Sequence, residues 1–443
     1  MKSRIQILII ILLLSSCAKE WLDVKSDDSF VVPTQLSELQ ALLDNTNILA
    51  RNVMGDVLEI STDNVELTET QWKAKAVQIR NAFVWANDIN EGLPDRNWTN
   101  YYGQIYYANT VLEGLNKLDK AESISVDGKN VAGQAYFYRA WAHFNLMQLF
   151  AKQYAKETAG SDLGIPLRKE SLLDQSSVRA TVQECYDFII SDMASSLSML
   201  PELPKEVTRP SKWAGYAFMA RLFLQMENYR TAKLYADSAI AIKADLLDFK
   251  NQNSTSSYPF RQLNEETIFY QTMSVPGFFV NMELFKQYTE ADLRKKLFFR
   301  QSGTQYSFKG SYANAANFFS GLASDEVLLI RAECNARLEQ YDLARKDLLH
   351  LLENRYETMP VFPADDRLLL DFILTERRKE LLFRGLRWLD LKRLNRDEKR
   401  KVVLTRNFES NYYELLPNSS RYVFAIPTDV ILNNPEIKQN ERD

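Results

Sequence analysis

The segment Leu374–Leu394, LTERRKELLFRGLRWLDLKRL, constrains the fold more than any other part of this chain. Its apolar residues Leu382, Leu386 and Leu389 recur at i, i+4 and i+7, which is one face of a helix. Glu376 and Glu380 stand one turn apart, and Glu380 is spaced to pair with Arg384 at i+4. Gly385 interrupts the run, where one helix can end and a second short one begin. In the second part Asp390 lies three residues from both Arg387 and Arg393. Charges this dense beside Phe383, Trp388 and Leu389 predict ion pairs held against a core. Two carboxylates that cleave one glycosidic bond must flank it, roughly 5–9.5 Å apart across the substrate. Glu376 and Glu380 instead share one helix among Arg377, Arg378, Lys379 and Arg384, so they are assigned to structural pairing.

The same string resembles the C-terminal signature of the SusD/RagB family of nutrient-uptake lipoproteins, E-R-R-x-E-L-x-F-x-G-x-R-x-x-D-L-x-R. The matching positions are Glu376, Arg377, Arg378, Glu380, Leu381, Phe383, Gly385, Arg387, Asp390, Leu391 and Arg393. The family often has Glu before the glycine, where this chain has Arg384. The resemblance implies a mostly all-α, SusD-like fold built on tetratricopeptide-like helix pairs, with Glu376, Arg377, Glu380, Arg387, Asp390 and Arg393 as its structural motif.

With 443 residues the chain can bury a large core, and length alone allows two or three domains. The net charge of −4 becomes about −6 if a leader carrying Lys2 and Arg4 is removed, and no basic stripe appears, which argues against nucleic acid as a partner. Aromatic residues are plentiful, with 21 Tyr, 24 Phe and 7 Trp, enough to fill a core and leave some for a binding surface. The three cysteines are Cys17, Cys185 and Cys334, and no CxxC or Cys/His ligand spacing occurs, so no metal or other cofactor is expected. Cys185 and Cys334 each sit in a helical apolar pattern and read as small buried hydrophobes in preference to a disulfide. With His143 and His350 as the only histidines, Ser/His/Asp chemistry is poorly supplied.

Lys2 and Arg4 precede an apolar run from Ile5 to Leu14, the layout of a signal peptide. At about 1.5 Å per residue this run is too short to span a bilayer core of about 30 Å. Leu14-Ser15-Ser16-Cys17 looks like a bacterial lipobox, with residues 1–16 removed and Cys17 the lipidated first residue of the mature chain. A diacylglyceryl group, usually with a third palmitate-type chain, gives stable anchoring at about 0.8 kcal/mol per buried CH₂. Residues 17–32 then form a lipidated, polar and acidic tether. Its C-x-K-E-W-L-D-V order resembles the start of SusD-like proteins, which face the outside of the outer membrane.

Residues 33–443 read as the body, and no further run approaches 18 apolar residues. Pro33 to Asn45 predicts a helix with Leu36, Leu39 and Leu43 on one side. Trp98 to Leu118 and Val131 to Phe150 predict two amphipathic helices, the second with Tyr138, Trp141, Asn145 and Leu149 on its face. Thr181-Val-Gln-Glu184 is a capping box that starts a helix running to Leu200, before Pro201. An internal repeat follows. An offset of about 112 residues aligns Ala220, Met226, Glu227, Tyr229 and Ala232 with Ala332, Leu338, Glu339, Tyr341 and Ala344. Small residues late in one helix, a short turn, then Tyr-x-x-Ala in the next is what tetratricopeptide-like pairs need for close approach. Arg139-Ala140 resembles Arg331-Ala332, so residues 98–151 are a further candidate pair. Residues 251–324 lack helical period but carry many aromatics, which predicts a long irregular insertion that is ordered and functional. The tail, from Ala425-Ile426-Pro427 through Asn433-Asn434-Pro435 to Gln439-Asn440, resembles the family's close, with Asp429 near its usual glutamate.

The resemblance implies a cell-surface lipoprotein that binds an oligosaccharide or peptide. It would act as the lid of a SusC/RagA-like TonB-dependent β-barrel transporter in the outer membrane. Such a lid needs no chemistry, which fits the missing catalytic constellation, and no catalytic residue is expected. Exposed aromatics would capture the ligand, because flat rings offer apolar area at low entropic cost. Trp72, Trp98, Tyr101, Phe278, Phe279 and Tyr312 are the candidates. Two other readings compete: a tetratricopeptide adaptor of envelope assembly, and a glycan-cleaving enzyme, for which no convergent acid pair is evident.

Overall fold

The computed structural model describes residues 33–51, 57–172, 177–274 and 277–442. Cys17 and the segments read as leader and tether lie outside them. Ten helices of eight or more residues are present among the described residues: α1 (Leu36–Leu43), α2 (Arg96–Leu115), α3 (Val126–Phe150), α4 (Val182–Met199), α5 (Lys212–Gln225), α6 (Tyr229–Ile242), α7 (Ser324–Arg337), α8 (Tyr341–Leu352), α9 (Asp366–Glu380) and α10 (Arg387–Leu394). Successive helices stack in order: α2 on α3, α3 on α4, α5 on α6, α6 on α7 and α7 on α8. None of the described helices is long and apolar enough to cross a membrane.

Side-chain caps decide where the helices start. Thr181 accepts from the Glu184 N–H while Glu184 reaches back to the Thr181 N–H at 2.8 Å, the reciprocal box expected for α4. Asp95 caps α2 through the N–H groups of Asn97 and Trp98, so this helix begins two residues before the apolar pattern does. Ser125 caps α3, which starts five residues ahead of Val131 because its polar first turn carries no periodic signal. The face expected for α3 also needs correction. From Gln134 to Phe150 nearly every residue is buried, since α2 and α4 cover this helix from both sides.

The two aligned repeats have the same turn. Glu227 (φ +58°) and Glu339 (φ +60°) occupy the left-handed region at equivalent positions. The Glu227 N–H bonds to the Leu224 carbonyl and the Asn228 N–H to Phe223; Glu339 and Gln340 bond likewise to Ala336 and Asn335. This is a Schellman ending built twice. Ala220, Ala232, Ala332 and Ala344 are all wholly buried between the paired helices.

Residues 251–324 fold as short antiparallel ladders that tie distant segments together. Val65–Glu66 pairs with Phe279–Val280, Thr267–Phe269 with Leu322–Ala323, Thr272–Met273 with Phe318–Phe319, and Phe299–Ser302 with Gln305–Phe308. At Gly321 a Cβ would lie 1.9 Å from the Phe269 carbonyl oxygen, so only glycine fits beside that ladder. The insertion is thus a strap, and most of its rings belong to the core: Phe260, Phe298, Tyr312 and Phe319 are buried, with Phe249, Phe260 and Phe298 in mutual contact, while Tyr258 is exposed.

The signature segment lies at the centre. α9 ends at Glu380, and Leu381–Leu386 turn the chain through two left-handed residues, Phe383 (φ +59°) and Gly385 (φ +76°). Leu382 and Leu386 therefore sit in the connection, buried but not on one helical face. Glu380 does not pair with Arg384. It binds Arg294 and Arg355 at 2.9 and 2.6 Å, while Arg384 binds Asp325 and lies over the Tyr312 ring. Glu376 meets Arg294, Lys379 and the Tyr356 hydroxyl. Asp390 joins Arg377 and Arg393, and Arg393 also binds Glu333; Arg387 reaches away to Asp63 at 2.8 Å. Asp325, Glu266 and Glu380 converge on one spot, with Arg355 and Arg384 supplying the opposite charge. Cys185 and Cys334 are buried free thiols, and burial pushes the Cys185 thiol up to about 12.

Candidate functional site

A cleft of about 960 Å³ lies between α2 and the C-terminal segment 429–437, with Pro166, Arg168, Glu170, Leu172 and Ser177 along its edge. One wall is set by helical spacing. Trp98, Tyr102 and Tyr106 follow one another at i, i+4 and i+8 on α2, so their Cα atoms rise about 6 Å from one to the next and their side chains share one face. Trp98 is held at the inner end, edge-on to Phe150 at 5.0 Å and tilted against Tyr102 at 4.8 Å, with only 8% of its surface exposed. Tyr102 donates its hydroxyl to the Pro166 carbonyl at 2.8 Å, which fixes its ring. Tyr106 is half-buried and flanked by Tyr107.

A buried polar relay supports this wall from behind. Asn109, wholly buried, donates to the carbonyls of Arg168 and Glu170 and accepts from Arg139 at 2.9 Å. Arg139 is clamped by Asp192 through two bonds of 2.7 and 2.8 Å. Burial raises the Asp192 carboxyl above its ordinary range, and Arg139 offsets only part of that rise. His143 accepts from the Arg168 N–H, and burial holds its imidazole down at about 3, so it is neutral. These groups hold the 166–170 edge against α2. The opposite wall is amide-rich, with Asn433, Asn434 and Pro435, and Asn434 donates to the Ser177 carbonyl. Asp429 Oδ1 is buried without a partner among the described residues. A row of rings facing amides and carboxylates suits a polyhydroxylated ligand.

Of the six aromatic candidates, Trp98 lines this cleft and the others do not. Tyr101 and Tyr312 are buried in the core and cannot offer an exposed ring; Tyr312 donates to Glu266 at 2.7 Å. Phe278 is packed on Phe383 at 4.8 Å. Phe279 lies in the ladder with Glu66. Trp72 donates to the Arg80 carbonyl and packs edge-on to Phe408. Tyr102 and Tyr106, absent from the six candidates, also line the cleft, and their four-residue spacing after Trp98 marks them. Glu170 and Arg168 come from an edge whose placement has no local sequence signal.

The architecture is that of a helical binding protein, with stacked helix pairs presenting a ring-lined cleft. Two sequence profiles place it more closely. One, described as starch-binding and associating with the outer membrane, matches residues 20–224, and that of the SusD family matches residues 325–442. The chain belongs to the SusD/RagB family. A SusD-like protein from Formosa agariphila is 28% identical over 152 residues, which is 34% of this chain and only 28% of that relative. A SusD superfamily protein from Bacteroides vulgatus superposes with a TM-score of 0.77 at 20% identity, covering 92% of this chain and 99% of its own. One from Bacteroides thetaiotaomicron gives 0.76 at 19%, covering 92% and 100%. A SusD-like carbohydrate binding protein from Bacteroides vulgatus gives 0.69 at 16%, covering 93% and 99%.

Proposed function

We propose that this chain is a surface lipoprotein, anchored through Cys17, that captures a neutral oligosaccharide in the α2 cleft. It would then act as the lid of a SusC-like TonB-dependent transporter. The observation that carries the ligand assignment is the Trp98–Tyr102–Tyr106 ladder facing Asn433 and Asn434. The backbone rise of about 6 Å from each ring to the next, with Trp98 and Tyr102 4.8 Å apart at their rings, is on the scale of one pyranose unit, so neighbouring sugars can each meet a ring. The carbohydrate-binding description of a fold neighbour and the starch-binding description of the family profile support a glycan over a peptide. Capture without chemistry is what a lid requires.

The test is calorimetric titration of the full chain in detergent with a panel of neutral oligosaccharides, maltoheptaose included. At least one is expected to bind, and Tyr106→Ala is expected to weaken it about tenfold, or about 1.4 kcal/mol. Unchanged affinity in that variant refutes the site. Glu170, Asp429 and Glu436 also line the cleft, so the titrated sugars are analysed for cleavage. Turnover lost in a carboxylate variant would replace the lid reading with an enzyme.

A further inference from the structure

A second cleft, of about 710 Å³, opens between residues 152–163, the C-terminal end of α10 and the segments 418–423 and 438–441. Lys392 lies against it on α10, with 4% of its surface exposed. Its Nζ donates to the carbonyls of Gln148 and Ala151, both at 2.8 Å, at the end of α3. An ammonium has three donors, and the third has no partner among the described residues. No carboxylate approaches it, and burial pulls the amine down to about 7. The other charges around the cleft are paired or stand at its rim. Lys152 binds Asp162 at 2.9 Å, Arg396 binds Glu227 at 2.7 Å, and Lys438 and Glu441 are exposed. Two more polar groups have spare capacity here. The amide of wholly buried Asn395 faces the Tyr422 hydroxyl, and neither Asn395 Nδ2 nor that hydroxyl has another partner among the described residues.

Burying an ammonium without a counter-charge is unfavourable, and the carbonyls of a helix C-terminus offset only part of that. Capping α3 does not require a cleft above the amine. An incoming anion would supply the missing charge, and the amide and hydroxyl would orient it. We infer that this second cleft receives a carboxylate, from an acidic sugar unit or from the end of a short peptide, with Lys392 as its counter-charge and Asn395 and Tyr422 as its donors. This inference is independent of the α2 cleft.

The experiment titrates the full chain with digalacturonate against galactobiose, and with trialanine against its C-terminal amide, each up to about 10 mM. At least one acid is expected to bind about tenfold more tightly than its neutral counterpart, and which acid does so identifies the source. At pH 8, binding is expected to take up protons, read as a dependence of the heat on the ionisation enthalpy of the buffer. Lys392→Gln keeps a donor for the α3 carbonyls and is expected to lose both the preference and the uptake. That assigns them to Lys392 and not to Lys152, Asp162, Arg396, Lys438, Glu441 or Tyr422. Tyr106→Ala is expected to leave both unchanged, which separates this site from the first. Equal affinity for acid and neutral probes, no binding of either acid, or no proton uptake by the unmodified chain overturns the inference even where Lys392→Gln fails to fold.

Discussion

Replacing Arg294 with methionine tests whether the signature segment is a structural hub. Arg294 is wholly buried and binds Asp292, Glu376 and Glu380 at 2.8, 2.5 and 2.9 Å. Lys379 covers Asp292 and Glu376, and Arg355 covers Glu380 and Glu266. Without Arg294, two cations face four buried carboxylates. Methionine fills much of the volume but leaves that charge stranded, and breaking a buried pair in this way costs about 3–5 kcal/mol. With a urea slope of about 3 kcal/mol/M, the unfolding midpoint is expected to fall by roughly 1 M at pH 8. A stranded carboxylate can take up a proton, so the loss is expected to shrink between pH 8 and pH 5. Adding Glu376→Gln to the variant should recover part of it, since one unpaired charge is gone. A midpoint shift under about 0.3 M at pH 8, or a loss that grows towards pH 5, would refute the reasoning.

Three further outcomes follow from single residues. Glu59 is buried against the Gly385 N–H, and burial raises its carboxyl to about 7. A raised carboxyl makes the folded state lose stability as pH climbs from about 4.5 through 7, so Glu59→Gln should gain about 1–3 kcal/mol at pH 8 and under about 1 kcal/mol at pH 5 in paired thermal melts. Gly321→Ala must push Phe269 aside and should cost about 1–3 kcal/mol, read by denaturant unfolding; a neutral result would mean the ladder gives way freely. Cys17→Ala should move the protein from the membrane fraction to the soluble one with its circular dichroism unchanged, and retention after a salt wash contradicts the lipid anchor.

How much of this was legible in the sequence depends on whether a signal was local. The Thr181–Glu184 box and the twin turns at Glu227 and Glu339 are written within a few residues, and they appear where the pattern places them. Glu380 shows the opposite. Its i+4 neighbour Arg384 is an adequate local partner, yet Arg294 and Arg355, 86 and 25 residues away, are the ones it meets. Tertiary packing outcompetes a surface-type pair once both groups are buried. The aromatic insertion misleads for a related reason: rings in an aperiodic segment look available, whereas here they close a core that its own strands cannot fill. The cleft was half visible, since the ring spacing on α2 is local but the 429–437 wall comes from the far end of the chain.

The ion pairs radiating from α9, α10 and the turn between them reach Asp63, Asp292, Asp325 and Glu333 directly, and Glu266 through Arg355, in segments scattered from the first sixth of the chain to its last quarter. Stacks of helix pairs with only neighbour contacts can fray from either end, one pair at a time. A chain pinned at its middle in this way has no end from which to unzip. Slow-exchanging amides of α3, α6 and α9 should therefore exchange only through one common global opening, giving a molecule that is either whole or lost.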